Sequence, residues 1–380
     1  MKGQKKAPVP DDWLVAEFGE QGLVEKLKRL ETTKVSNESL LAFLGESNSP
    51  MKRYHKRITD CGSWIVLRHF HQVDQARVIK ANFCRKPLLC PTCAMRRSAQ
   101  QVRYFEQKIR SLFAENPDMD AVLATFTVKN GPDLGERFDC CESSLSRMVK
   151  KRHDAISKGR ENTVLRHVLG GAGSYEFKRG SGSDLWHPHF HAIFLLPKGQ
   201  FAFTQVQKGK RMVWVPYELK NAITDEWKVM TGGSHQIDIR RIEMRNEKDR
   251  FGAICEAFKY ALKLDDMTEE DKVHAAEVLQ GRRLQRSFGN LHGVDINEDL
   301  VDDIEKVLSL QPYVDLVYHY NKTGYVLVET TDYGPMQTGQ KTQKHSKKRQ
   351  EGQKAAGFTQ TQVDDWVDQF LSSQLEGVPF

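Results

Sequence analysis

Three of the thirteen histidines in this chain fall within five residues, at His187, His189 and His191, and an apolar run through Leu196 follows them. In an extended strand side chains alternate between faces, so these three rings point the same way. Neutral imidazole is a common ligand for manganese, zinc and related metals, and a strand presenting two or three of them makes half of a metal site. The alternative, histidines on the solvent face of a strand, fits any one of them better than all three. A carboxylate lies upstream. The segment from Val164 to Lys178 is strand-like in its second half, which holds Glu176, and Arg179 to Asp184 has the composition of a turn. A hairpin centred on Gly182 and Ser183 sets Glu176 opposite His189 on the same face, unless a β-bulge breaks the parity. Two histidines and a carboxylate suit magnesium or manganese, with positions left open for a phosphate oxygen.

The second chemically loaded stretch is Phe251 to Lys263, which reads as a helix. Glu256, Tyr260 and Lys263 then share one face at i, i+4 and i+7. A lone helical tyrosine is usually a packing residue. Here a carboxylate stands one turn before it and an ammonium one turn after. Ionising a phenol at pH 7 costs about 4 kcal/mol. A nucleophilic tyrosine therefore needs a nearby cation or base, and Lys263 could serve.

Seven cysteines without an export signal argue against a disulfide scaffold. Four of them group instead: Cys61, Cys84, and the tight pair Cys90-Pro91-Thr92-Cys93. Zinc tetrahedra are often assembled from one such knuckle and a more distant pair, with His69 and His71 as competing ligands here. A redox pair is the alternative. The basic residues that follow (Arg96, Arg97) and the lack of a βαβ context disfavour it. Cys140, Cys141 and Cys255 follow no pattern and read as interior thiols.

The elements that must position these groups divide the chain. Residues 1–50 read as a helical extension, with Trp13, Leu14 and Phe18, then Leu23, Leu27 and Leu30 at helical spacing, and Asn37 capping a short helix through Leu44. Residues 51–100 read as a zinc-binding module with strands over 64–71 and 76–83. A helix over 95–115 leads from that module into residues 101–300, which hold helices over 138–157 and 268–285, a mainly helical stretch over 213–230, and strands over 121–130 and 235–242. Residues 301–334 contain a hairpin, 313–320 with 325–328, around Asn321 to Gly324. Residues 335–380 form a basic tail, disordered over 335–360 and including Lys344 to Arg349, then an amphipathic stripe of Val363, Trp366, Val367, Phe370 and Leu371. Strands interleaved with helices and a central hairpin indicate an α+β domain with a mainly antiparallel sheet. Fifty-seven lysines and arginines against fifty acidic residues give a net +7 and a pI near 8.9, which permits a nucleic-acid partner without requiring one. No apolar run approaches bilayer length, so a soluble, cytoplasmic protein without a signal peptide is expected.

In family order, the stretches Cys84 to Arg97, Thr125 to Asn130, Trp186-His-Pro-His-Phe-His-Ala-Ile-Phe194 and Glu256-Ala-Phe-Lys-Tyr260-Ala-Leu-Lys263 resemble plasmid rolling-circle replication initiators of the HUH endonuclease superfamily, of the type with one tyrosine and a glutamate. The resemblance covers roughly residues 55–300. It implies an HUH nuclease domain, a central mainly antiparallel sheet flanked by helices, beside a small zinc-ribbon-like module. The histidine–hydrophobic–histidine motif maps onto His189-Phe190-His191, so His187 becomes an extra, one step removed from the ion. The resemblance implies Mg2+ or Mn2+ on His189, His191 and Glu176, beside the structural Zn2+ that the spacing of Cys61, Cys84, Cys90 and Cys93 suggests. Tyr260 would attack phosphorus, leaving a 5′-phosphotyrosine and a 3′-OH that primes a polymerase. Glu256 would activate water at termination, and Lys263 would lower the tyrosine pKa or neutralise phosphate. The implied partners are a plasmid double-strand origin, single-stranded at the nick, with Arg96, Arg97, Lys150 and Lys151 as DNA contacts, and the host helicase and polymerase. A homodimer is allowed and no membrane is involved. A conjugative relaxase or HUH transposase shares the chemistry, although relaxases usually place the tyrosine before the histidines. A non-catalytic origin-binding protein and a zinc hydrolase of small molecules are the rivals from other classes.

Overall fold

The computed structural model describes residues 23–70, 75–180, 183–258, 267–292, 313–321 and 324–333. Tyr260 and Lys263, the helix expected around Trp13 to Phe18, the basic tail and the stripe from Val363 to Leu371 lie outside the described residues. The helices are α1 (Leu23–Val35), α2 (Glu38–Glu46), α3 (His55–Thr59), α4 (Pro91–Glu115), α5 (Leu134–Lys158), α6 (Tyr217–Thr231), α7 (Glu247–Ala257) and α8 (Glu269–Leu279). The strands are β1 (Trp64–Phe70), β2 (Gln75–Ala81), β3 (Met119–Thr127), β4 (Gly170–Gly180), β5 (Ser183–Pro197), β6 (Thr204–Lys208), β7 (Arg211–Val215), β8 (Ile237–Ile242), β9 (Gln285–Gly289), β10 (Tyr313–Tyr320) and β11 (Tyr325–Tyr333).

The central sheet runs β8-β3-β5-β4-β9, and all its pairs are antiparallel. Alternation along β5 explains its place in the middle. Trp186, Phe190, Phe194 and Leu196 point to one face, where they pack with Phe138, Leu145 and Met148 of α5 and with Leu219, Ile223 and Trp227 of α6. Ile193 and Leu195 point to the other, against Val102, Phe105 and Ile109 of α4 and Ala253, Ile254 and Ala257 of α7. Each such buried side chain contributes about 1.5–3 kcal/mol over its exposed state. The α+β class with antiparallel sheets expected from the sequence is the class observed.

A second sheet runs β11-β10-β1-β2, with Ile65, Leu67, Leu316 and Tyr318 packed under Leu30 of α1. The hairpin expected at 313–328 forms, and it pairs with β1 (Ile65 opposite Tyr318, Leu67 opposite Leu316). The strands of the cysteine module and the late hairpin are therefore one sheet, joined further by a two-pronged Arg68–Asp315 ion pair at 2.7 and 2.9 Å. Three local expectations change. Residues 213–215 belong to β7 rather than to the start of a helix: Val213 and Val215 turn inward while Trp214 is exposed, and the strand follows a turn at Gly209, whose φ is 60°. The helix from Thr268 stops at Leu279, and 285–289 become the edge strand β9. Asn37 occupies the N-cap of α2, but with helical backbone angles and no side-chain capping bond.

Candidate active site and cysteine centre

The hairpin register sets Glu176 opposite His189 and Ser174 opposite His191. On the other side of β5, Thr127 faces His189 and Thr125 faces His191. These side chains share one face of the sheet, the face that carries α4 and α7. Both ring Nδ1 atoms meet a hydroxyl at 3.0 Å, His189 with Thr127 Oγ1 and His191 with Thr125 Oγ1. That contact orients each ring and leaves its Nε2 for another partner, the arrangement that supports histidine ligands of metals. Glu176 is buried and reaches diagonally across the pair, its Oε2 lying 2.7 Å from His191 Nε2. Burial pushes the His189 imidazole down to about 4, against the upward pull of Glu176, so its lone pair is not taken by a proton near neutral pH. His187 is lowered by burial and by Lys178, and its Nε2 is buried with no hydrogen-bond partner among the described residues.

Helix α7 brings a further carboxylate. Ser98 Oγ of α4 donates to the Phe258 carbonyl at 2.5 Å, and Ser174 Oγ of β4 donates to the Ala257 carbonyl at 2.8 Å. These bonds satisfy carbonyls that a helix end leaves without partners. Phe258 also stacks on Phe105 with ring centres 4.1 Å apart. The helix end is thereby docked on the histidine face, with Glu256 Oε1 3.8 Å from His191 Nδ1. The chemistry available here is cation binding by two imidazoles and a buried carboxylate, with a second carboxylate at its margin. In this geometry the group is looser than a closed metal site. Among the described residues only the four cysteines bring three or more histidine, cysteine or carboxylate ligand atoms within 4.8 Å of one another.

Those cysteines fit a metal closely. Cys61, Cys84, Cys90 and Cys93 are all buried and all free thiols. Their sulfurs stand 3.7 Å (Cys61 to Cys93), 3.5 Å (Cys84 to Cys93) and 3.6 Å (Cys61 to Cys90) apart. A zinc ion with ~2.3 Å bonds to four tetrahedral sulfurs would set them about 3.8 Å apart. The backbone N–H groups of Cys84 and Arg85 donate to the sulfurs of Cys61 and Cys93, each at 3.3 Å, and Arg85 takes a left-handed φ of 57° to do so. Hydrogen bonds from Cys61, Cys84 and Cys90 push the Cys93 thiol far down, whereas Cys84 and Cys90 are pushed up. So close a set of sulfurs favours shared charge on a cation over four separate thiols. Cys61, separated from the others by β1 and β2, belongs to the group; His69 does not join it.

The basic residues separate. Lys151 pairs at 3.1 Å with the buried Glu226 of α6, on the sheet face away from the histidines. Lys150, beside Lys151 on α5, is exposed. Arg96 lies over the Phe83 ring, 3.7 Å from its centre, while Arg97 is exposed beside a cleft of about 180 Å³ lined also by Arg85, Lys86 and Arg282. The sequence marked the stretch Thr125 to Asn130 but gave Thr125 and Thr127 no role at the histidines. Their signal was a Thr-x-Thr repeat in β3, with the same period as the histidines it meets.

Comparison with known proteins places these features in a family. Residues 75–315 match a family of replication proteins. A curated replication protein ("Protein rep") from Streptococcus pneumoniae serotype 2 is 26% identical over 244 residues, covering 62% of this chain and 69% of its own length. Proteins of the same name from Bacillus amyloliquefaciens and a Bacillus species are 25% and 24% identical over 57% of this chain, covering 62% and 69% of their own lengths. No solved structure matches the chain.

Proposed function

The chain belongs to the replication-protein family of plasmid Rep initiators, and from that premise we propose that it starts rolling-circle replication by nicking one strand of the plasmid origin. The observation that carries the reading is the group His189, His191 and Glu176 on one sheet face, with Glu256 held beside it by the docked end of α7. His189, His191 and Glu176 would hold Mg2+ or Mn2+, with His187 flanking them, and the bound ion would polarise the scissile phosphate. Thr125 and Thr127 keep the rings turned toward it.

Tyr260, three residues past the docked Ala257, is the nucleophile in this reading. Its phenolate oxygen forms the bond to phosphorus, and the bond to the 3′ oxygen breaks, so that the 3′-OH is released as a primer. Lys263 favours the phenolate and balances phosphate charge. Glu256 takes the proton from the water that ends the round, a role suited to a carboxylate at the margin of the group. The four cysteines would hold Zn2+ as a structural centre. The host helicase and polymerase act on the opened strand.

The test is a nicking assay on supercoiled plasmid carrying this gene and its flanks, with Mg2+ or Mn2+, comparing wild type with Tyr260→Phe. Mass spectrometry of the protein follows. A relaxed circle linked through Tyr260 is expected with wild type alone. Equal nicking by Tyr260→Phe would remove Tyr260 as nucleophile. No nicking by either protein, with binding insensitive to EDTA, would favour a non-catalytic origin binder.

A further inference from the structure

The hairpin β6–β7 joins neither of the two larger sheets. A two-stranded ribbon is marginal in water unless something covers one of its faces. Its register gives the two faces different chemistry. Val206 faces Val213 and Thr204 faces Val215, and this side turns inward, with Val215 buried and both other valines half-buried. The opposite side presents Gln205 across from Trp214 and Gln207 across from Met212. All four are exposed, Met212 by 55% and Trp214 by 39%. The tip carries Lys208, Lys210 and Arg211. Lys208 pairs with Asp238 of β8 at 2.6 Å, while Lys210 and Arg211 have no carboxylate partner among the described residues. Asp238 lies in the row Asp238–Thr125–His191, so the ribbon tip stands at the sheet edge, level with the histidines.

We propose that this ribbon reads duplex DNA by entering the major groove beside the strand to be cut. The choice of DNA rests on the nicking function proposed above; the face and its register do not. The major groove, about 12 Å wide, admits a two-stranded β-ribbon, and a glutamine amide can bond both N6 and N7 of an adenine. Gln205 is placed for such a contact. Gln207 Nε2 now donates to the Gly209 carbonyl of its own turn at 3.3 Å, a long bond that a base edge can replace. Trp214 and Met212 offer apolar contact to thymine methyl groups. Lys210 and Arg211, at the positive tip, suit phosphates on the groove wall, which position the ribbon without specifying sequence.

The full chain would be used to select from a randomised duplex library, with wild type beside Gln205→Ala/Gln207→Ala and Lys210→Gln/Arg211→Gln. Zinc content and melting temperature check that each variant folds. Wild type is expected to enrich a motif, and the amide variant to lose roughly 5- to 150-fold of its preference at each base it no longer reads. The charge variant should keep the motif, bind all duplexes more weakly, and lower the slope of log K against log salt by about 1.8. Enrichment of the same motif at the same affinity by the amide variant would overturn the proposal, as would a wild type that enriches none. Nicking of a single-stranded oligonucleotide by wild type is scored separately. Its absence alongside an intact amide effect would sink the cleavage reading and leave the ribbon standing.

Discussion

His189 and His191 are distinguished from ordinary strand histidines by what holds their Nδ1 atoms. Each has a threonine hydroxyl at 3.0 Å, and those hydroxyls belong to the neighbouring strand. Replacing both by valine keeps shape and β propensity and removes only the orienting contact. Thr125→Val/Thr127→Val should weaken the apparent Mn2+ affinity in nicking by about 10- to 100-fold. The DNA concentration for half-maximal rate and the melting temperature should change little. An unchanged Mn2+ titration would mean the hydroxyls do not position the rings. A different test applies to Lys151, one of the lysines expected to contact DNA. Its ammonium meets Glu226, a buried carboxylate that also accepts from Thr163 Oγ1 at 2.7 Å. The pair is partly screened because Lys151 is about one-third exposed, so Lys151→Ala should cost about 1–2 kcal/mol of stability. DNA affinity should stay the same; a lower affinity without a lower melting temperature would restore Lys151 to the DNA surface. The histidine and glutamate positions were legible because a strand has a two-residue period. The charge on Lys151 was legible, but its partner, 75 residues away in sequence, was not.

At the scale of elements, β4 shows why only part of a strand could be read. The sequence suggested a strand over the second half of 164–178, yet β4 already begins at Gly170. Gly170, Gly171 and Gly173 look like a turn composition, whereas each fills a place where a side chain would not fit. A Cβ on Gly171 would come within 2.6 Å of the Phe194 and Phe288 rings, and one on Gly173 within 2.0 Å of the His191 carbonyl oxygen. The closeness at Gly173 lets β4 lie against β5 in the register that carries Glu176 to His191. Gly173→Ala should therefore wedge the two strands apart, costing about 1–3 kcal/mol or more and lowering nicking beyond what the stability loss explains. A variant with normal melting temperature and full activity would show that the strands can yield there. The strands β9 and β7 were missed for a related reason. Each is five residues long and takes its identity from a partner, β4 for one and β6 for the other, rather than from its own pattern.

For the whole molecule, the packing around the cysteines and the main core are joined through one helix. Helix α8 faces both. Its Val273 and Ala276 pack with the four cysteines and with Leu40 and Leu44 of α2, while its Ala275 and Leu279 pack into the main core under β5. Polar contacts repeat the pattern: Ser39 Oγ bonds Glu269 Oε1 at 2.8 Å, and Arg179 of β4 pairs with Asp271 at 2.9 Å. The late hairpin completes the sheet of the cysteine module across a gap of more than 200 residues in sequence, a pairing that no local pattern announces. If the sulfurs hold zinc, removing it frees four thiols inside a core that α8 helps to close, and opening there should spread through α8. Hydrogen exchange with a strong chelator should then show faster exchange in α2, in the segment around Cys84 to Cys93 and in α8. Protection of β3 and β5, closed by α4 to α7 from both faces, should hold. Exchange confined to the cysteine segment, with α8 unchanged, would mean the two cores open independently. Faster exchange in α8 would instead make the metal a support for the helix that both cores share.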